Sequence, residues 1–269
     1  MYHYCNVNAF LNIIKNKNIW LTNTTFMNDD RETKWVYELL KKLTKSTNTS
    51  LSKEILEEYQ KQKNKTHYIA SFSKEKDLLS QWRAYAGDAT GVAIAFGSKK
   101  GDLYRNLGLC GKTNGVNTSP EGKVTPSTAE LGIEYLIYQE NEQQRLVDGI
   151  INSTNSKSDI KSSAAMLKEL VTTFKHPSFF EECEMRITYT PENIKNGKLD
   201  HSIECLSSIE YREQNGRIID YYKFHFSIKA ISEIIIGSKS KLTKDAVESF
   251  LSSNGFSATN VKYSASSYR

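Results

Sequence analysis

Two glutamates and an arginine stand at alternate positions in the segment from Phe179 to Tyr189, which reads Phe-Phe-Glu-Glu-Cys-Glu-Met-Arg-Ile-Thr-Tyr. If the segment is a strand, its side chains alternate between two faces. One face is apolar and the other polar, with Cys183, Met185, Ile187 and Tyr189 on the first and Glu182, Glu184, Arg186 and Thr188 on the second. Two carboxylates beside a guanidinium suit a cleft that holds a sugar or a developing cation. The alternative is a half-exposed sheet face with an i,i+2 ion pair.

Three further groups of residues could carry chemistry. His3 stands between two tyrosines, Ser71 and Ser73 share one face of a predicted strand, and Trp82 and Tyr85 lie three apart on one helical face. Each has an ordinary alternative: a surface or core histidine, serines at a strand end, and an aromatic pair in the core.

Common motifs for nucleotide binding and hydrolysis do not occur. The chain has no G-x-G-x-x-G after a strand, no G-x-x-x-x-G-K-[ST], no G-x-S-x-G and no H-E-x-x-H. His201 and Cys205 are four apart, but two ligands do not make a zinc site, so no metal site is predicted. Any nucleotide must be held by other means.

The composition predicts a cytoplasmic protein with a lean, aromatic-rich core. Hydrophobic residues make up 38% of the 269 and aromatic residues 11%, and the net charge of +5 is spread over scattered lysines. Scattered charge is more typical of a solvated surface than of a nucleic-acid groove, and it leaves an anionic partner open. The four cysteines are far apart, as expected of reduced thiols. We expect no signal peptide, no membrane span and no membrane partner.

Helical and strand patterns alternate along the chain without a repeat. This order favours an α+β fold with a mixed central sheet and surrounding helices. We expect one domain over residues 1–269, with a polar insertion at 97–128 and a polar, hairpin-like excursion at 191–216. The first helix is expected to bury Val7, Phe10, Leu11 and Ile14, and Asp77 is expected to cap a helix that ends at Gly87.

Three predicted strands follow one another along the chain: one contains His3, the next Ser71 and Ser73, and the last Glu182 and Glu184. In that order they resemble the signature strands of the ADP-ribosyltransferase fold. The N-terminal segment also resembles the start of members that modify DNA or RNA, through Tyr2, His3, Phe10, Leu11, Ile13 and Ile14. The resemblance implies an ADP-ribosyltransferase-like domain that uses NAD as co-substrate.

The resemblance implies that Glu184 is the catalytic residue, with Glu182 as second choice or as the group that positions the acceptor. Cleavage of the nicotinamide bond builds positive charge on the ribose, and a fixed carboxylate stabilises that charge. It also implies a cofactor-binding set that holds the ribose, the phosphates and the nicotinamide ring: His3, Tyr4, Ser71, Ser73, Trp82, Tyr85 and Arg186. Arg186 would keep a neighbouring carboxylate ionised or bind a diphosphate.

A second resemblance covers most of the chain and is to an uncharacterised bacterial family, domain of unknown function 2971. Its motifs match at Tyr2 to Tyr4, Asn28, Asp29, Glu32, Ser71 to Ser73, Trp82, Tyr85, Ala86, Gly91 to Phe96, Lys175, His176, Phe179, Glu181, Glu182, Glu184, Arg186 and Ile234 to Gly237. Gln81 and the insertion at 97–128 depart from the pattern. The family brings no activity with it.

The function expected from the resemblance to the ADP-ribosyltransferase fold is that of an NAD-consuming ADP-ribosyltransferase. It would be a bacterial toxin or antiphage-defence effector that modifies a protein or a nucleic acid, with room for an inhibitory or defence-system partner protein. Two alternatives stay open: a non-catalytic nucleotide- or nucleic-acid-binding module on the same scaffold, and a carboxylate-dependent hydrolase.

Overall fold

The computed structural model describes residues 1–26, 32–47, 49–62, 65–97, 116–118, 124–126, 131–191 and 205–268. The strands of this part are β1 (Tyr2–Cys5), β2 (Asn18–Asn23), β3 (Tyr68–Ser73), β4 (Val92–Phe96), β5 (Val116–Thr118), β6 (Val124–Pro126), β7 (Leu131–Tyr135), β8 (Glu184–Tyr189), β9 (Glu210–Gln214), β10 (Arg217–His225), β11 (Ile231–Ile236) and β12 (Asn260–Tyr263). The helices are α1 (Val7–Asn16), α2 (Glu32–Thr47), α3 (Ser50–Lys61), α4 (Leu79–Tyr85), α5 (Glu140–Ser153), α6 (Ile160–Glu169) and α7 (Lys244–Ser253).

Ten of the described strands form one sheet, in the order β12-β11-β4-β1-β3-β2-β10-β9, with β8 beside β3 and β7 beside β8. The pair β11–β12 is parallel, and the other pairs are antiparallel. The remaining two, β5 and β6, pair with each other. The predicted α+β class with a mixed central sheet and several helices is therefore confirmed.

One edge of β3 is shared by two strands. Strand β8 pairs with β3 along its whole length, so β1 and β2 both lie on the opposite edge. Strand β1 pairs there at Ser73 alone, and β2 pairs at Tyr68 and Ile69. The edge between these contacts, from residue 70 to residue 72, has no strand partner, and the sheet is split at this point.

Helix α1 connects the two strands that diverge. It begins at the cap residue Asn6, whose side-chain Oδ1 accepts a hydrogen bond from the Ala9 N–H at 2.8 Å, and it ends at Lys17 in the left-handed conformation. The helix buries Phe10, Ile13 and Ile14 against the sheet. The prediction that α1 buries Val7, Phe10, Leu11 and Ile14 was partly wrong. Leu11 is exposed, and Ile13 is buried in the core in its place.

A second apolar cluster lies among the helices α2, α3, α5 and α6, with Leu40, Ile55 and Leu167 at its centre. Gln143 of α5 is buried there and donates hydrogen bonds to the carbonyls of Ile137 and Lys175. These two bonds tie the helical cluster to the chain that leads into β8.

The glutamate segment differs from the expected long strand. Strand β8 begins only at Glu184, because residues Pro177–Glu182 form a 3-10 helix that ends at Cys183, with φ at 46°. Cys183 therefore does not lie on the apolar face, and Glu182 does not lie on the strand. All six residues of β8 are buried, so the face expected to be half exposed is also covered.

The hairpin-like excursion is confirmed in its described part, and the insertion contains a strand pair that was not expected. Residues 210–214 form β9, which is paired with β10 in a hairpin, while 192–204 lie outside the described residues. The insertion at 97–128 includes the β5–β6 pair, and its other residues, apart from 97, are not described.

Asp77 does not cap α4, whose first turn has no side-chain cap. Its carboxylate instead accepts hydrogen bonds from the Trp82 indole at 2.8 Å, the Ala265 N–H at 2.6 Å and the Ser264 hydroxyl. Asp77 thus joins α4 to the segment that follows β12. The expected end of the helix at Gly87 is confirmed, since Gly87 has φ at 58°.

In the part of the chain that the structure describes, no helix is both long and apolar enough to cross a membrane.

The packing around β4 generates a stability prediction. A Cβ on Gly91 would lie 2.1 Å from the Cys5 carbonyl oxygen, so Gly91→Ala must push β1 away from β4. We expect a loss of about 2–3 kcal/mol in the free energy of unfolding, measured by urea denaturation.

Gly149→Ala is the matched control, because a Cβ there meets nothing within 4 Å and Gly149 lies inside α5. It should stabilise the protein by roughly 0.5–1 kcal/mol. Equal effects of the two substitutions would contradict the packing described for β1 and β4.

Candidate functional site

The split beside β3 opens into a cavity of about 590 Å³. Its walls come from β1, β2 and β3, from α1, and from the start of β8, with Arg212 and Gln214 of β9 closing it. Aromatic side chains form much of the lining: Tyr2, Tyr4, Trp20, Phe26, Phe72, Tyr85 and Phe179. The volume lies within the range of small-molecule sites, which are mostly apolar with a few placed polar groups.

Four charged groups meet where β8 enters the cavity. Lys175 Nζ lies 2.5 Å from Glu182 Oε2 and 2.6 Å from Glu184 Oε2. On the other side of Glu184, Arg186 donates from Nε to Oε1 at 2.7 Å and from a terminal nitrogen to Oε2 at 3.1 Å. We call Lys175, Glu182, Glu184 and Arg186 the carboxylate cluster; its formal charges cancel.

Glu184 is held ionised in spite of its burial. Burial on its own raises the pKa of a carboxyl group, but the charges and hydrogen bonds of Arg186 and Lys175 outweigh it and lower the pKa of Glu184 to about 2. Its backbone N–H donates to the Tyr138 hydroxyl at 2.9 Å, which fixes the first residue of the strand. The carboxylate is thus a rigid anion at the cavity wall.

Glu182 is more accessible than Glu184 and is held by the turn before β8. The Ser73 hydroxyl donates to the Glu182 carbonyl at 2.9 Å, which anchors that turn to the end of β3. The Tyr85 hydroxyl donates to Glu182 Oε1 at 3.3 Å, and the Tyr85 ring is exposed. Burial and the neighbouring Glu182 charge raise the pKa of Tyr85 to about 12, so it stays a donor.

His3 bridges the split in the sheet. Its Nδ1 lies 3.1 Å from the Ser71 carbonyl oxygen, and a carbonyl can only accept, so Nδ1 carries the proton. Burial lowers the pKa of His3, and the ring is therefore neutral near pH 7. A neutral ring protonated at Nδ1 leaves Nε2 as an acceptor for a ligand hydroxyl.

A buried polar face continues behind the carboxylate cluster. Glu134 lies opposite Arg186 in the sheet and accepts hydrogen bonds from the hydroxyls of Thr173 and Thr188 at 3.1 and 3.2 Å. Burial raises the pKa of Glu134, and these hydroxyls with the charge of Arg186 oppose the shift. Besides its bonds within the cluster, Arg186 donates to the Thr172 carbonyl at 3.3 Å, which helps to fix its position.

Most of the residues expected at the site line one cavity: His3, Tyr4, Ser71, Tyr85, Glu182, Glu184 and Arg186. Two do not. Ser73 is fully buried and fixes the Glu182 turn, and Trp82 is buried, with its ring packed edge-on to Tyr4 at 5.0 Å. Of the expected aromatic pair, Tyr85 alone reaches the cavity.

Sequence reasoning missed two cations of the site. Lys175 lies outside every predicted strand, although it stands seven residues before Glu182 in a motif of the resembled family. Arg212 lies in the segment expected to be a polar, hairpin-like excursion, and the Asn215-Gly216 turn between β9 and β10 was the signal that could have located its strand.

The described residues contain no group of three or more His, Cys, Asp or Glu side chains that could hold a metal ion. Cys5 and Cys205 are buried, and burial raises the pKa of Cys5 to about 12.

Residues 81–187 match a family model described as "Protein of unknown function (DUF2971)". The resemblance to that family is thus confirmed over less than half of the chain, in the part that runs from α4 to β8. No curated protein and no solved structure matches the sequence. The matched segment contains the whole carboxylate cluster but neither His3 nor Ser71.

The ionised Glu184 generates a prediction on acid stability. Its pKa is lowered from 4.5 to about 2 in the folded protein, so its contribution is complete above about pH 4.5 and is lost as the pH falls towards 2. Urea denaturation between pH 7 and pH 3 should show the free energy of unfolding falling below about pH 4.5. In Glu184→Gln this part of the acid dependence should disappear, and an unchanged dependence in that variant would contradict the assignment.

Proposed function

We propose that this protein is an NAD-consuming ADP-ribosyltransferase that modifies a protein or a nucleic acid. The observation that carries the proposal is the ionised Glu184 carboxylate at the wall of a cavity that also contains His3 and Ser71. Its fold is proposed to be ADP-ribosyltransferase-like, with the cavity between diverging strands as the NAD site.

The chemistry proposed for Glu184 requires a fixed anion near the reacting ribose. When the nicotinamide bond breaks, its electron pair stays on the nicotinamide nitrogen and positive charge develops on the ribose. A preorganised carboxylate stabilises that charge without reorganising during the reaction. The acceptor then bonds to the ribose carbon and releases a proton.

Glu184 has room for a ribose hydroxyl. A carboxylate offers about four acceptor positions, and three are used: one by Arg186 on Oε1, and two on Oε2 by Arg186 and Lys175. The remaining position is on Oε1. The Nε2 atom of His3 offers a second acceptor in the same cavity.

Glu182 and Tyr85 are proposed to face the acceptor. Both are more accessible than Glu184, and Glu182 is joined to Glu184 through Lys175. A ligand or acceptor that draws Lys175 towards Glu182 would leave Glu184 with more of its charge available for the ribose.

A second candidate is a binding module without turnover on the same scaffold. One observation favours it: both carboxylates are paired with cations, as in a structural ion-pair network. Under this candidate NAD or a nucleic acid binds without turnover, and binding survives Glu182→Ala and Glu184→Ala. A toxin or antiphage-defence role, with an inhibitory partner protein, is proposed only together with the transferase.

Nicotinamide release tests the transferase directly. We expect purified protein mixed with NAD and bacterial extract to release nicotinamide, measured by chromatography. Glu184→Gln should lower the rate at least about 100-fold, because the developing charge loses its carboxylate.

Glu181→Gln is the matched control, since Glu181 is exposed on the 3-10 helix just before β8 and does not line the cavity. It should keep the wild-type rate. Thermal melting of both variants shows whether Glu184→Gln still folds, and Glu182→Gln supplies a second variant at a more accessible carboxylate. An absence of nicotinamide release by the wild-type protein, with or without extract, would overturn the proposal.

A further inference from the structure

Arg212 lies at a part of the cavity remote from the carboxylate cluster. Its guanidinium carbon lies 4.9 Å from the centre of the Trp20 ring and 5.8 Å from that of Tyr221, and a terminal nitrogen donates to the Thr22 hydroxyl at 3.2 Å. Trp20 and Tyr221 themselves lie against each other, with ring centres 4.5 Å apart. Stacking and one hydroxyl hold the guanidinium in place, and neither contact neutralises it.

The charge of Arg212 has no counterpart in the described residues. No ion pair joins it to a carboxylate there, and its enclosed Nε–H donates to no acceptor. The other two cations of the cavity, Lys175 and Arg186, are both paired with Glu184. The described lining residues include three cations, Lys175, Arg186 and Arg212, and two carboxylates, Glu182 and Glu184. Their formal charges sum to +1, and the charge that is not balanced is that of Arg212.

The distance from Arg212 to Glu184 limits the kind of ligand that could touch both. The Arg212 guanidinium donates to Thr22 on β2, and β3 alone separates β2 from β8, so the path across the sheet is two strand spacings or about 10 Å. Along β3, Thr22 pairs with Ile69 and Glu184 with Ser73, which adds an offset of about 13 Å. A ligand that spans this path needs an anionic part at Arg212 and a part with free hydroxyls at the carboxylates. A nucleotide has this polarity, with phosphate at one place and ribose hydroxyls at another.

We propose that Arg212, with Thr22 and Gln214 beside it in the lining, forms a subsite for the phosphate group of a nucleotide. A guanidinium presents its donors in a plane that matches phosphate oxygens, and the Trp20 ring sets the orientation of that plane. The subsite goes beyond the proposed transferase activity, because it requires only that the cavity binds a phosphate-bearing ligand.

Titration calorimetry without turnover tests the subsite, with ADP, adenosine and inorganic pyrophosphate as probes. We expect ADP and pyrophosphate to bind the wild-type protein, more weakly as salt concentration rises. Arg212→Gln should weaken ADP at least tenfold and change adenosine less than twofold, because adenosine carries no phosphate. Arg212→Lys should recover part of the ADP affinity, since it restores the charge without the planar donor set.

Arg217→Gln is the matched control. Arg217 lies on the same hairpin, is exposed and does not line the cavity, so the variant should bind ADP within twofold of wild type. Thermal melting confirms that each variant is folded. Failure of ADP and pyrophosphate to bind the wild-type protein would overturn the subsite, as would equal losses of ADP and adenosine in Arg212→Gln. Nicotinamide release can fail while these binding results hold, so the two proposals fail separately.

Discussion

The competition of β1 and β2 for one edge of β3 is the constraint on which the cavity depends. Since β8 covers the other edge of β3, both strands must share what is left, and neither reaches residues 70–72. An unpaired strand edge carries backbone groups that need partners. His3 supplies one of them by donating to the Ser71 carbonyl, so the histidine that lines the cavity also compensates for the gap in the sheet.

The carboxylate cluster lies at the opposite edge of β3, where β8 is paired. Arg186 and Lys175 cancel the charges of Glu182 and Glu184, and a buried network of this kind is stable only while each partner is present. Arg186 also donates to the Thr172 carbonyl at 3.3 Å, and this contact helps to hold it in place. The same contacts that allow two carboxylates to be buried keep Glu184 ionised, and a site for a developing cation needs that property.

Local signals in the sequence were sufficient for most elements and for part of the site. Alternation and a cap residue located β1, α1 and β8 to within a few residues, and the order of His3, Ser71 and Glu184 indicated that they would meet. What failed depended on backbone conformation or on distant pairing. The left-handed turn at Cys183 removes Glu182 from the strand, and no residue type requires that turn. Trp82 and Tyr85 share a helical face in sequence, yet the packing of Tyr4 buries the first alone.

Arg212 was missed because its place in the cavity depends on the pairing of strands that are distant in sequence. Its position beside the cavity depends on β9 pairing with β10, which is a local hairpin, and on β10 pairing with β2, which joins residues about 200 positions apart. The hairpin itself is local and agrees with the hairpin-like excursion expected at 191–216, but nothing near Arg212 in the chain indicates that β10 pairs with β2.

The segment that matches the family model ends inside β8, and the cavity is lined by residues from both inside and outside that segment. Residues 81–187 contain both glutamates and both of their cations, while the histidine, the serine strand and Arg212 come from the flanking sequence. Two proteins that share the matched segment can therefore differ in the part of the cavity wall that the flanking sequence supplies. Ligand choice in such proteins would be encoded in the flanks, and a comparison limited to the shared segment would group together chains with different specificities.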